Sequence, residues 1–251
     1  MKTHMNEAFH IIKAATDTPV FIFGDHASKH IPDEFNNLGL SGNDLTRHIA
    51  WDIGSQTVIE HLCEHFGCAG QLAAVSRLVI DINRDPSAKG LIPEESDGTI
   101  IPGNANLSKT ERQNRMDRFY SPYHDALEHT LGQTLDKLDD PLVLSIHSFT
   151  PKPDLGEQRP TDIGLLVKHD VVSAKRFSEI CQQQKCHFTL GMNKPYSAYD
   201  LNYTVDEHVG PRGLRHLAIE IRQDHIDTDN KARAMAGLLA DRLDPFINRK
   251  A

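Results

Sequence analysis

Pro19-Val-Phe-Ile-Phe-Gly-Asp-His26 is an apolar run that opens on proline, closes on glycine and empties directly into an acid and an imidazole. A short continuous apolar run bounded by such residues predicts a strand buried on both faces. Apolar runs that empty into polar residues return at Pro141-Leu-Val-Leu-Ser-Ile-His147 and in the strand predicted over 216–221, which leads into Arg222 and Asp224. Residues 72–82 and 163–168 read as two further strands, the first ending in Asp81-Ile-Asn-Arg84.

Helices are predicted between these strands. Asn43 or Asp44 reads as the cap of a helix running to about Phe66, where Gly67 ends it. Ser108-Lys-Thr-Glu111 has the form of a capping box, opening a helix to about Leu135 that Pro122 kinks or divides. A helix over 173–184 follows, and a closing helix capped by Thr228, Asp229 or Asn230 runs towards Leu243. A short helical lead precedes the first strand. Residues 85–108 and 151–160, and the segment carrying Asn193-Lys-Pro-Tyr196, read as loops. Strands alternating with helices predict a largely parallel sheet covered on both faces. With no composition shift and no repeat, residues 1–251 read as one domain.

Lys plus Arg number 27 against 35 Asp plus Glu, a formal charge of −8, which argues against a nucleic-acid or anionic-membrane partner. No stretch approaches the roughly 18 apolar residues of a membrane span. The first fifteen residues carry His4, Glu7 and His10 and do not read as a secretory signal. Cys63 and Cys68, and Cys181 and Cys186, have a spacing that a thiolate zinc site could use. Their places on apolar helix stripes favour core packing instead, and few cysteines without a signal suggest a cytoplasmic protein.

Of 15 histidines, two stand at strand ends, His26 and His147. In open α/β sheets ligands bind beyond the carboxyl ends of strands. Imidazole pairs with a carboxylate to bind a divalent metal such as zinc, and Asp25, Asp52 and Asp81 are all candidates for the third ligand. Glu220, in the apolar setting of Leu217 to Ile221, is a candidate acid–base group. Alternation puts Arg222 on the same sheet face as Glu220. Arg84 suits a bidentate grip on a substrate carboxylate. No nucleophile elbow, Walker loop, dinucleotide fingerprint or H-E-x-x-H sequence is present.

Seven segments in order resemble the N-formylglutamate amidohydrolase family. They are Asp25-His-Ala-Ser28, His48-Ile-Ala-Trp-Asp-Ile-Gly54, Ser76-Arg-Leu-Val-Ile-Asp-Ile-Asn-Arg84 and Ser96-Asp-Gly-Thr-Ile-Ile-Pro-Gly-Asn104. Ser145-Ile-His-Ser-Phe-Thr-Pro151, Asn193-Lys-Pro-Tyr-Ser197 and Ile219-Glu-Ile-Arg-Gln-Asp224 complete the set. The resemblance implies a three-layer α/β/α sandwich with a mixed, mostly parallel sheet of the zinc-exopeptidase kind. It also implies metal-dependent hydrolysis of a carboxylate-bearing N-acyl amino acid, with N-formyl-L-glutamate as the name-giving substrate. By the same likeness His26 and His147 are metal ligands, Asn83 and Arg84 bind the substrate carboxylate, and Glu220 is the general base; Arg222, on the face of Glu220, is expected to assist Arg84. The related peptidases place a metal carboxylate three residues after the first histidine, where this chain has Lys29. The third ligand is therefore expected elsewhere, and Asp52 is preferred over Asp25, with His48 and His30 in reserve. Rival readings are an amidase for another N-acyl or N-carbamoyl amino acid, and a non-catalytic binder of metals or small molecules.

Overall fold

The computed structural model describes residues 3–247; Met1, Lys2 and residues 248–251, the two ends of the expected single domain, lie outside it. Strand β1 is Thr3–Met5, β2 Phe9–Ile12, β3 Val20–Gly24 and β4 Ala69–Ala73. A two-stranded hairpin follows, β5 Glu95–Ser96 and β6 Thr99–Ile100. The remaining strands are β7 Leu142–Phe149, β8 Ile163–Leu166, β9 Leu190–Met192 and β10 His216–Arg222. Eight of them form one sheet in the order β1-β2-β4-β3-β7-β10-β8-β9. The centre, β4-β3-β7-β10, is parallel. Antiparallel pairing enters through β1, β2 and β8. The mixed sheet with a parallel centre is thus the expected one.

Helices cover both faces. They are α1 Ser55–Phe66, α2 Lys109–Arg115, α3 Ser121–Leu135, α4 Val171–Gln183, α5 Tyr203–His208 and α6 Asp229–Ile247. The alternation along β3 shows why its sequence is apolar throughout. Val20 and Ile22 pack with α1, α4 and α6, while Phe21 and Phe23 pack with α3 and the buried loops of the opposite face. β7 and β10 split the same way, except that their second face turns polar where it reaches the cleft. Cys63, Cys68 and Cys181 are buried among apolar side chains and all four cysteines are free, as core packing requires.

The capping box forms as read: Ser108 Oγ accepts from Glu111 N, and Glu111 returns a bond to the Ser108 backbone. Pro122 lies in the first turn of α3, separated from α2 by a π-helical turn over Met116–Tyr120.

Three expectations need correction. The lead is an antiparallel hairpin, β1–β2, and no helix; Phe9-His-Ile-Ile12 finds an unpaired edge on β4. The helix expected from Asn43 or Asp44 begins only at Ser55, after a single 3-10 turn over Asp44–Thr46. Gly54, at φ +81°, stops any helical path from running through it. The strand expected over 72–82 ends at Ala73, and Leu78 to Ile80 run as buried irregular chain. An apolar run alone does not distinguish a strand from such a loop. Here side chains satisfy the backbone: Asn104 Nδ2 donates to Leu78 O at 2.8 Å and Arg115 Nη1 to Val79 O at 2.8 Å.

Candidate active site

The polar ends of β3, β7 and β10 meet beside one another. β7 and β10 are parallel neighbours with Glu220 in register with His147. Asp25 and His26 follow β3 directly. Asp52 is delivered by the loop before α1, with its N–H donating to His26 O at 2.9 Å and its own carbonyl accepting from Ser55 Oγ at 2.8 Å. On the far side of β10, Gly164 of β8 leaves room for the chain at Lys194: a Cβ there would stand 2.0 Å from Lys194 O and 3.2 Å from Glu220 Cβ.

His26, Asp52 and His147 are each only 3% exposed. One ligand atom from each lies within 4.8 Å of the other two. Both imidazoles turn Nδ1 towards Asp52 Oδ2, at 3.6 Å for His26 and 2.8 Å for His147. Ser148 N donates to the same oxygen at 3.2 Å. The opposite nitrogens are backed by the other two acids. His26 Nε2 is 2.7 Å from Asp81 Oδ1, and His147 Nε2 is 3.4 Å from Asp25 Oδ2. Tyr123 donates its hydroxyl to Asp25 Oδ1 at 2.9 Å, and Arg77 Nη2 donates to Asp81 Oδ2 at 2.7 Å. Carboxylates behind histidines fix ring orientation and basicity in metal centres.

Burial alone would raise the carboxyls of Asp25, Asp52 and Asp81. All three are held below the usual range, Asp52 by the two imidazoles and Asp81 chiefly by Arg77 and His26. Burial and the Arg77 cation pull His26 down and burial pulls His147 down, but the surrounding carboxylates outweigh this and hold both imidazoles above the ordinary value. Glu220 behaves differently, because burial pushes its carboxyl up to about 7.

Buried polar atoms normally have partners. Here His26 Nδ1, His147 Nε2, Asp25 Oδ2 and Glu220 Oε2 are buried without a hydrogen bond among the described residues. Such a concentration of orphaned imidazole and carboxylate atoms fits a divalent cation, whose ligands are these donor types. The group could therefore hold a metal ion.

Above it opens a cleft of ≈ 320 Å³, with Glu220 in its lining beside His26, Asp52 and His147. Asn83 and Arg84 line it too. Asn83 Oδ1 accepts from Thr204 N at the start of α5 at 2.9 Å, and Arg84 Nε stands 3.5 Å from Asp81. Arg222 does not line the cleft. Although it lies two residues beyond Glu220, its guanidinium is taken by Asp162 and Asp224, each at 2.8 Å. His48 lines the outer cleft, 3.2 Å from Asp97, and His30 is exposed, so neither joins the buried group. Lys29 is also exposed, its Nζ 5.4 Å from the Trp51 ring. Ser148 Oγ donates to Ile53 O at 2.9 Å.

Three lining residues carry chemistry that sequence reading did not assign: Arg77, Arg159 and Tyr196. Arg77 sits four residues before Asp81 in a segment already singled out, so its spacing was a usable signal. Tyr196 belongs to a segment noted as a loop near the site. Arg159 stands in a proline-rich loop, and nothing local marks it.

A family model described as N-formylglutamate amidohydrolase matches residues 18–226. Among solved structures, a gene product of Agrobacterium tumefaciens is 33% identical, superposes with a TM-score of 0.90 and aligns over 95% of this chain and 94% of its own. An N-formylglutamate amidohydrolase from Ralstonia eutropha shares the fold, with 18% identity, a TM-score of 0.72 and coverage of 98% of this chain and 100% of that one. No curated protein sequence gives a significant match.

Proposed function

The chain belongs to the N-formylglutamate amidohydrolase family, and from that membership we propose that it hydrolyses the amide of an N-acyl amino acid, N-formyl-L-glutamate, to formate and L-glutamate. The observation that carries this reading is the buried group of His26, Asp52 and His147, with one ligand atom of each within 4.8 Å of the other two, and Glu220 beside it in the cleft lining. His26, Asp52 and His147 would hold a divalent metal, zinc by the donor set. When bound, such an ion supplies Lewis acidity, polarising an acyl carbonyl and lowering the pKa of water.

The rest falls to the chain itself. Glu220 Oε2, buried, unpaired and facing the cleft, takes the proton of the attacking water and passes it to the departing amine nitrogen. Asp81 and Asp25 hold the two imidazoles in orientation from behind. Arg84 grips the α-carboxylate with Asn83 beside it, the Asn83 side chain being fixed by Thr204 N. The −8 chain thus offers an anionic substrate a locally cationic wall. Four free thiols fit a reducing cytoplasm.

The test is direct. Metal-loaded protein should release formate from N-formyl-L-glutamate, and Glu220→Gln should keep its metal while turnover falls by about 10³-fold or more. Near-normal kcat in that variant removes Glu220 from the chemistry. Full metal occupancy in His26→Ala or His147→Ala removes that residue from the ligand set.

A further inference from the structure

Three arginines line the cleft, and they are not equivalent. Arg77 and Arg84 both stand against Asp81, at 2.7 and 3.5 Å. Arg159 has no carboxylate within ion-pair distance among the described residues. Its Nη1 donates instead to Tyr196 OH at 2.9 Å and to Thr150 O at 3.2 Å. Its guanidinium carbon sits 4.8 Å from the centroid of the Tyr196 ring and 5.7 Å from that of Phe149. Two titratable side chains that face it do not neutralise it: Tyr196 is a phenol whose burial pushes its pKa up, and His48 is already 3.2 Å from Asp97.

A partly buried guanidinium without a counter-charge is costly, and stacking plus a one-edge anchor leaves the rest of its planar fork free for an anion. Arg84 comes from the loop after β4 and Arg159 from the loop after β7, so the cleft carries cations on two separate walls above the His147–Glu220 floor.

We propose that Arg159, positioned by Tyr196, binds the side-chain carboxylate of a dicarboxylic N-acyl amino acid and so sets selectivity for an acidic over a neutral side chain. The assignment rests on the amidohydrolase reading and on Arg84 holding the α-carboxylate. Glutamine is the fitting comparison, since it matches glutamate in length but carries no charge.

The experiment is steady-state kinetics of metal-loaded wild type, Arg159→Gln, Arg159→Lys and Tyr196→Phe on N-formyl-L-glutamate and N-formyl-L-glutamine. Wild type should prefer glutamate. In Arg159→Gln that preference should fall about 100-fold, carried by KM for the glutamate substrate. Arg159→Lys should recover part of it. Tyr196→Phe, which removes one of the two hydrogen bonds that anchor Nη1 and leaves the one to Thr150 O, should lose about fivefold. Equal loss on both substrates would assign Arg159 to a part that they share and overturn the proposal, as would an unaltered preference in Arg159→Gln. Wild type that hydrolyses both substrates equally overturns this proposal alone. Wild type that hydrolyses no N-acyl amino acid overturns the functional reading and this proposal with it.

Discussion

Two of the acids at the site lie across the imidazoles from Asp52. Asp81 bonds His26 Nε2 and Asp25 faces His147 Nε2, while Asp52 alone stands where both Nδ1 atoms point. If His26, Asp52 and His147 hold the proposed metal, Asp81→Asn should weaken its affinity by about 10- to 100-fold without abolishing binding, whereas Asp52→Asn should lose far more. A competition titration with a chromophoric chelator separates the two, and equal losses would make Asp81 a ligand in its own right. In the sequence His26, His147 and Glu220 could be picked out, because imidazole or carboxylate at the end of an apolar strand is conspicuous. Asp25, Asp52 and Asp81 could not be ranked from the residues alone, since spacing does not tell which edge of a ring an acid will face. Arg222 misled for a related reason. Strand alternation gives a face, but Asp162 and Asp224 capture the guanidinium outside the cleft.

At the scale of elements, the site depends on the loop that carries Asp52 turning sharply into α1. Gly54 makes that turn at φ +81°, and a Cβ on it would lie 2.1 Å from Ile226 O. Gly54→Ala combines left-handed backbone with a clash against main chain. It should cost about 2 kcal/mol or more of folding stability in urea unfolding. It should also lower metal affinity, because Asp52 is two residues away; a variant with wild-type stability and affinity would show that the turn is not a constraint. This glycine also explains the misplaced helix start. Asn43 and Asp44 are good caps by type, yet a cap works only if helical backbone can follow, and Gly54 stops it from running on to α1. Where the capping box supplied two reciprocal bonds, at Ser108 and Glu111, the reading held to the residue.

At the scale of the whole molecule, stability should depend on pH through a buried pair outside the His26–Asp52–His147 group. His124 of α3 is 9% exposed, with Nε2 3.1 Å from Ile82 O and Nδ1 2.8 Å from His208 Nε2. A carbonyl only accepts, so Nε2 carries the hydrogen and Nδ1 accepts from His208. A second proton on His124 would meet that N–H with no acceptor. Tyr120, Tyr123 and Tyr203 pack around the ring, and His208 is further tied to Glu128 at 3.1 Å. Burial, with the His208 charge adding to it and Asp25 opposing, pushes the His124 imidazole down to about 4. The unfolded chain takes up this proton near the ordinary histidine value of about 6.5. Between those two values the unfolded state binds more protons, so this contribution is complete above about pH 6.5 and is lost as pH falls towards 4. At about 1.4 kcal/mol per unit, the loss between pH 7 and 5 comes to about 2 kcal/mol. Urea unfolding of wild type and His124→Gln at both pH values isolates it, because every other titrating group, His26, Asp52 and His147 included, is common to the two proteins. Wild type should lose about 2 kcal/mol more than the variant. Parallel losses would mean that His124 accepts its second proton in the folded state as readily as in the unfolded chain, and that the contact between α3 and α5 is not sensitive to acid.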